Sequence, residues 1–206
     1  MTVALRRPEP ITVEAFLALL ERCPEGERWQ LIEGEVVRLM AGVSVNHATV
    51  ATNIGTALQA KVRGRGCRAF FSDLLVRHPE EDGTIVAPDI LVRCGPTKGT
   101  ARFVDDPVVV VEVLSPSTMV IDRGAKLAFY ETLPSLAHIV LVYQDEMRVE
   151  TWSRAPSADD EDDETPPRWA YEVGAQPGDR LTLAALDFAM PLAEVYDGVD
   201  FGGAPA

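Results

Sequence analysis

At 206 residues the chain has room for one domain with a real core and not for two generous ones. Its 47% hydrophobic and 25% charged residues exclude a disordered chain. No apolar run approaches the roughly 20 residues of a membrane span, and Arg6-Arg7-Pro8 does not fit a secretory signal, so no membrane association is expected. The net charge of −13 argues against nucleic acid until its distribution is read. Residues 155–206 hold 2 basic and 12 acidic residues, whereas residues 1–154 hold 17 and 20. Within the latter, Lys61, Arg63, Arg65, Arg68 and Arg77 meet only Asp73. The acidity belongs to the tail, and Lys61, Arg63 and Arg65 are candidate phosphate contacts. Cys23, Cys67 and Cys94 offer neither a CxxC pair nor an even disulfide framework, which predicts packing thiols and a cytoplasmic location.

In chain order, residues 12–22 predict a helix with Thr12 as N-cap. Residues 28–40 predict a hairpin turning at Glu33-Gly34, because β-branched valines resume at once. From Ser44 to about Val62 the spacing of Val50, Ile54, Ala57, Leu58 and Val62 predicts a helix, ended by Gly64 and Gly66. Strands are expected over Arg68–Arg77, Thr84–Arg93 and Pro107–Leu114. The Ser115-Pro116-Ser117-Thr118 stretch stops the third and caps a helix to about Leu133. Strands at Ala137–Tyr143 and Arg148–Ser153 flank the turn Gln144-Asp145-Glu146. The run Asp159–Glu164, within a loop at about 155–168, is too acidic to pack. A short strand at 169–173 and the apolar segment 181–196 finish the chain. The order implies a single α/β domain over residues 1–206, built on one mixed sheet flanked by helices.

Glu112 is the most informative residue. It interrupts Val108-Val109-Val110-Val111-Glu112-Val113-Leu114, a run apolar enough for a strand buried on both faces. A carboxylate there needs a cation, a metal or an exit to water. Asp89 follows Pro88, by itself only a turn signal. If the strands carrying these two acids are neighbours, the carboxylates meet at one sheet edge and call for a hard divalent ion. Asp122, Lys126 and Tyr130 are spaced i, i+4, i+8 along one helical face, just after the strand of Glu112. The plain alternative there is an exposed Asp–Lys pair worth a few tenths of a kcal/mol.

Pro88-Asp89, Glu112-Val113-Leu114-Ser115-Pro116-Ser117-Thr118, then Asp122, Lys126 and Tyr130, resemble the Uma-type restriction endonuclease family of the PD-(D/E)XK nuclease superfamily. Trp29–Val36 and His47 at the head of a helix are similar to its N-terminal signature. The resemblance spans about residues 10–154 and implies a restriction-endonuclease-like core with an N-terminal helix and hairpin. It further implies hydrolysis of phosphodiester bonds, in DNA first of all, with Mg²⁺ or Mn²⁺. Asp89, Glu112 and the backbone carbonyl of Val113 would hold the ion. Lys126 would orient the attacking water, Asp122 would hold Lys126, and homodimers are expected. Two departures stand out. The superfamily places its lysine two residues after the second acid, where this chain has Leu114, so the lysine migrates to the helix as Lys126. Gln30 stands where relatives carry a glutamate, which leaves Glu35 as the upstream acid for water-mediated metal binding. His47 either approaches phosphate or metal, or caps and packs; Tyr130 is placed with it toward the substrate. Two rivals are an inactive nuclease-like DNA-binding or assembly module and a hydrolase of small phosphoesters, which the thin basic content favours.

Overall fold

The computed structural model of the chain describes residues 10–39, 42–71, 74–81, 83–155 and 168–202. The acidic run at 159–164 lies outside them. Helix α1 (Val13–Leu20) opens at Thr12, whose hydroxyl accepts from the Ala15 N–H at 3.2 Å, and buries Val13 and Phe16. Strands β1 (Arg28–Ile32) and β2 (Glu35–Leu39) form the expected hairpin, with Arg28 opposite Leu39 and Ile32 opposite Glu35. Both turn residues have positive φ, 51° at Glu33 and 78° at Gly34, the backbone that matches strand twist in a two-residue turn. A Cβ on Gly34 would stand 2.4 Å from Pro10 Cβ, and its N–H and C=O already bond Gly83 and Ile11. Gly34→Ala should therefore cost about 2 kcal/mol in urea unfolding, from left-handed backbone plus the clash. A loss below about 0.5 kcal/mol would show that the Pro10 segment yields freely.

Helix α2 (Val45–Val62) is capped by Ser44, whose hydroxyl accepts from the His47 N–H at 3.0 Å. Its stripe of Val50, Ile54, Leu58 and Val62 is buried as expected, with Ala57 packed beside it. Then come β3 (Cys67–Phe71), β4 (Leu75–Arg77), β5 (Ile85–Val86), β6 (Ile90–Cys94), β7 (Phe103–Val104) and β8 (Pro107–Leu114). The two strands expected at 68–77 and 84–93 are thus each split, and their halves serve different sheets. The second break falls at Ala87-Pro88-Asp89, because proline lacks the N–H that a ladder requires. The first has no such marker: apolar residues resume at once in Leu74-Leu75-Val76, so the pattern hides it. Helix α3 (Met119–Ile121), a π turn (Asp122–Lys126) and helix α4 (Leu127–Thr132) occupy the expected single helix, and the Thr118 side chain makes no capping bond. The remainder is β9 (His138–Tyr143), β10 (Val149–Arg154), β11 (Trp169–Gly174), β12 (Arg180–Leu183), a 3₁₀ turn (Ala184–Leu186), β13 (Phe188–Pro191) and α5 (Leu192–Val195).

The expected α/β class holds, a mixed sheet flanked by helices, but the strands divide among several sheets rather than one. The main sheet runs β11-β10-β9-β8-β6-β3 and is antiparallel except for β8–β9. A second runs β2-β1-β5-β4-β7, and β12–β13 form a hairpin. Strand β8 is buried on both faces. Val109, Val111 and Val113 pack with α2 and the C-terminal segment, whereas Val110 packs with Phe129, Tyr130 and Leu133. Two-residue periodicity places Glu112 on the side of Val110, facing α4. Because β8 and β9 are parallel, residues 115–137 must form a crossover. That crossover brings the π turn back over the end of β8.

The cysteine expectation is corrected. Cys67 and Cys94 stand directly opposite in the β3–β6 register and form a disulfide; Cys23 is free. A pairing across neighbouring strands is set by sheet register, which a separation of 27 residues in sequence does not disclose. The sequence argument for a reducing compartment loses its support with it. Among the described residues no helix is long and apolar enough to cross a membrane.

Candidate active site

Two acids meet because two strands are in register. Ile90 is opposite Val111 in the antiparallel β6–β8 pair, so one step further sets Asp89 across from Glu112. The Asp89 carboxylate accepts from the Val113 N–H at 2.7 Å, and His47 Nε2 lies 3.3 Å from the same oxygen. Glu112 Oε1 accepts from Lys126 Nζ at 3.0 Å and from the Tyr130 hydroxyl at 2.6 Å. Lys126 Nζ is also 2.8 Å from Asp122 Oδ1. Lys126 is only 4% exposed and Asp122 2%, so the alternative of a solvated surface pair is excluded.

The π turn explains how one helix serves all three contacts. At about 100° per residue, positions eight apart on an α-helix drift roughly 80° off a common face. A π turn spreads each turn over more residues and drifts the other way, returning Tyr130 to the line of Asp122 and Lys126. From the same turn Arg123 reaches Glu150 on β10 at 2.7 Å, where Arg148 also binds at 2.8 Å. Burial works against the Glu150 charge, but the two guanidiniums outweigh it and hold the carboxyl below its ordinary range. This clamp ties the π turn to the sheet.

The electrostatics of the centre are those of a surplus of acid. Burial pushes Glu112 up to about 8; Lys126 opposes that shift, and the Asp122 and Asp89 charges add to it. Burial also disfavours the Lys126 ammonium, yet Glu112 and Asp122 hold it above its ordinary range. Tyr130 is raised by burial and then by Glu112, so it stays a hydrogen-bond donor. Glu112 and Asp122 share Lys126, and Asp89 stands across from Glu112 with His47 beside it, so the centre carries more carboxyls than ammoniums.

Asp89, Glu112, Asp122, Lys126 and His47 line a cavity of about 350 Å³. The first hairpin also lines it, through Arg28, Gln30 and Arg38, and Ser115, Ser117 and Thr118 join the lining. Several expected residues are not brought there. Glu35 is exposed at the turn end of the hairpin and does not line the cavity. Gln30 does line it, because the hairpin's other end abuts the site. Lys61 lies fourteen residues beyond His47 on α2, roughly 21 Å along the axis. There Lys61 and Arg65 approach Asp187 at 2.8 and 3.8 Å, and Arg63 caps the helix end. The basic segment is therefore remote from the cavity and partly neutralised by the tail, which a count along the chain cannot reveal. Tyr130 is fully buried, donates to Glu112 and does not line the cavity. Sequence reasoning missed Arg28 and Arg38 and discounted Gln30. The only signal was strand alternation, which puts Arg28 and Gln30 on one face of β1.

The donor set discriminates among metals. Among the described residues no group of three or more His, Cys, Asp or Glu side chains could hold an ion, which does not fit a closed zinc site. Two carboxylates with an adjacent backbone carbonyl, that of Val113, suit Mg²⁺ or Mn²⁺, which keep several waters and need only one or two acids.

Known proteins agree with this architecture. Two proteins of Synechocystis sp., both described as uncharacterized, are similar to the chain. One is 28% identical over 192 residues, 93% of this chain and 94% of the relative; the other is 30% identical over 131 residues, 62% and 73%. A crystal structure from Anabaena variabilis, described as a putative nuclease belonging to DUF820, matches with a TM-score of 0.70. It covers 91% of this chain and 98% of that one at 17% identity, a likeness of fold. The sequence profile of Uma2, described as putative restriction endonuclease, matches residues 13–186, and the chain belongs to that family.

Proposed function

We propose that the protein is a divalent-metal-dependent endonuclease that hydrolyses phosphodiester bonds in DNA, with Asp89, Glu112 and Lys126 as its central residues. The observation that carries this reading is their convergence at one cavity, acid opposite acid in register and a buried ammonium 3.0 Å from Glu112. Asp89, Glu112 and the Val113 carbonyl would hold Mg²⁺ or Mn²⁺, which when bound would supply a water of lowered pKa and polarisation of the phosphate. The Val113 N–H and Tyr130 hydroxyl fix the two carboxylates, so the ligands are oriented before substrate arrives. Lys126 donates to Glu112 and is ion-paired with Asp122, and its ammonium keeps N–H capacity for the attacking water or a phosphoryl oxygen. His47, beside Asp89, steadies that carboxylate and does not replace it as a ligand. Two copies acting together suit the two strands of a duplex, and the cytoplasm is where such a substrate lies.

The deciding experiment incubates the protein with supercoiled DNA, linear DNA, RNA and an aryl phosphodiester, each with Mg²⁺, Mn²⁺ or EDTA. Nicked and linear products from supercoiled DNA with metal, and none with EDTA, are expected. Turnover of the aryl ester alone would favour the small-phosphoester reading, to which the thin basic content lends weight. No cleavage of any substrate would leave the inactive module.

A further inference from the structure

Gln30 is held rigidly and left unsatisfied. Its strand, β1, is paired with β2 on one side and β5 on the other, which fixes the direction of the side chain. The residue is 1% exposed, and neither Nε2 nor Oε1 has a hydrogen-bond partner among the described residues. Buried polar groups in folded proteins are almost always bonded, and an unbonded one is destabilising unless a ligand completes it. Gln30 lines the same cavity as Asp89, Glu112 and Lys126, on the hairpin side with Arg28 and Arg38. The acids suit a cation; the hairpin side is rich in N–H donors. A group that satisfies both is an anion accompanied by a divalent cation, which describes a phosphodiester. Being neutral, a carboxamide adds a donor without adding another carboxylate to compete for the ion.

We propose that Gln30 is a substrate-binding residue whose amide N–H donates to a non-bridging oxygen of the phosphodiester held in this cavity. The inference rests on the nuclease reading and adds the donor side of the site. The Arg28 and Arg38 side chains continue that side toward solvent, and Arg38 is steadied by the Trp29 ring at 4.8 Å.

The test uses full-length protein and a fluorescent DNA duplex, with Ca²⁺ in place of Mg²⁺ to measure binding apart from cleavage. Mn²⁺ affinity is measured by calorimetry without DNA. Gln30→Leu should weaken duplex binding about tenfold or more, the loss expected for one hydrogen bond to a charged group. It should leave Mn²⁺ affinity within about twofold, since the residue is not a ligand in this proposal. It should also raise the melting temperature of the metal-free protein, because an apolar side chain of similar size replaces an unsatisfied one; a merely structural glutamine would give the opposite shift. Gln30→Glu keeps the shape, so it stays informative if the leucine variant misfolds, and its carboxylate should repel the phosphate and weaken binding further. Unchanged duplex binding in Gln30→Glu, or in a folded Gln30→Leu, overturns the proposal, as does a matching loss of Mn²⁺ affinity. If wild type cleaves DNA and both variants cleave equally well, this proposal alone falls. If wild type neither binds nor cleaves, the nuclease reading falls and takes it along.

Discussion

Lys126→Met should lower DNA cleavage by at least about a hundredfold, and it should also destabilise the metal-free protein by several kcal/mol. The first effect follows from removing the one ammonium at the reacting centre, in the range seen when a single transition-state donor is deleted. The second follows from burial. A lysine-to-methionine change on a helix surface costs well under about 1 kcal/mol, and sequence alone suggests that setting. The structure places Nζ 3.0 Å from Glu112 and 2.8 Å from Asp122 with the residue 4% exposed. Methionine would leave two buried carboxylates without their countercharge, and breaking a buried pair in this way costs about 3–5 kcal/mol. Part of that is recovered because Glu112, already raised toward neutrality, takes up a proton. Mn²⁺ should restore more of the lost stability than it adds to wild type, since a divalent ion supplies the missing positive charge. Thermal melts with and without Mn²⁺, beside a cleavage assay, read all three quantities. Wild-type cleavage by the variant would sink the assignment of the helix lysine. An unchanged melting temperature would mean that the Glu112–Lys126–Asp122 cluster is solvated.

What the sequence discloses and what it hides divide along a physical line. Local chemistry is legible. The Glu33-Gly34 turn, the Thr12 cap and the buried stripe of α2 follow from short-range rules and are found as expected. Glu112 could be singled out because a charge inside six aliphatic residues violates the strand's own pattern. Pairing between distant segments is different. Pro88 marks one division between strands, but that β3 and β4, like β5 and β6, serve different sheets is shown only by the sheets they feed. The Cys67–Cys94 bond and the Lys61–Asp187 pair depend on register and on how the C-terminal segment packs on α2. Gln30 was discounted because a glutamine reads as a weakened glutamate. Its significance lies in an unsatisfied amide, which exists only once the hairpin lies against the end of the main sheet.

Glu112→Gln should invert the stability order of wild type and variant when metal is added. Without metal, the wild-type carboxyl is raised from 4.5 to about 8, chiefly by burial. A folded-state pKa above the unfolded one means that the proton is bound more tightly in the native protein. The resulting stability is complete below about pH 4.5 and is lost as pH rises toward 8. Glutamine does not ionise and suffers no such loss, while its C=O can still accept from Tyr130 and its amide keeps the volume. At pH 5 the two metal-free proteins should therefore unfold at similar temperatures. By pH 8 the variant should lead by on the order of 1 kcal/mol, as is common when a buried charge is replaced by a neutral group. Saturating Mn²⁺ reverses the order, because an ion at a hundred times its dissociation constant stabilises wild type by about 2.7 kcal/mol and finds only Asp89 in the variant. Cleavage should fall with the lost affinity, in contrast to Lys126→Met, which retains both acids. If Mn²⁺ stabilises Glu112→Gln as much as wild type, Glu112 is not a ligand and the metal site lies elsewhere. If the variant gains nothing between pH 5 and 8, Lys126 alone already balances the buried carboxylate, and the site lacks the surplus of acid that calls for an ion.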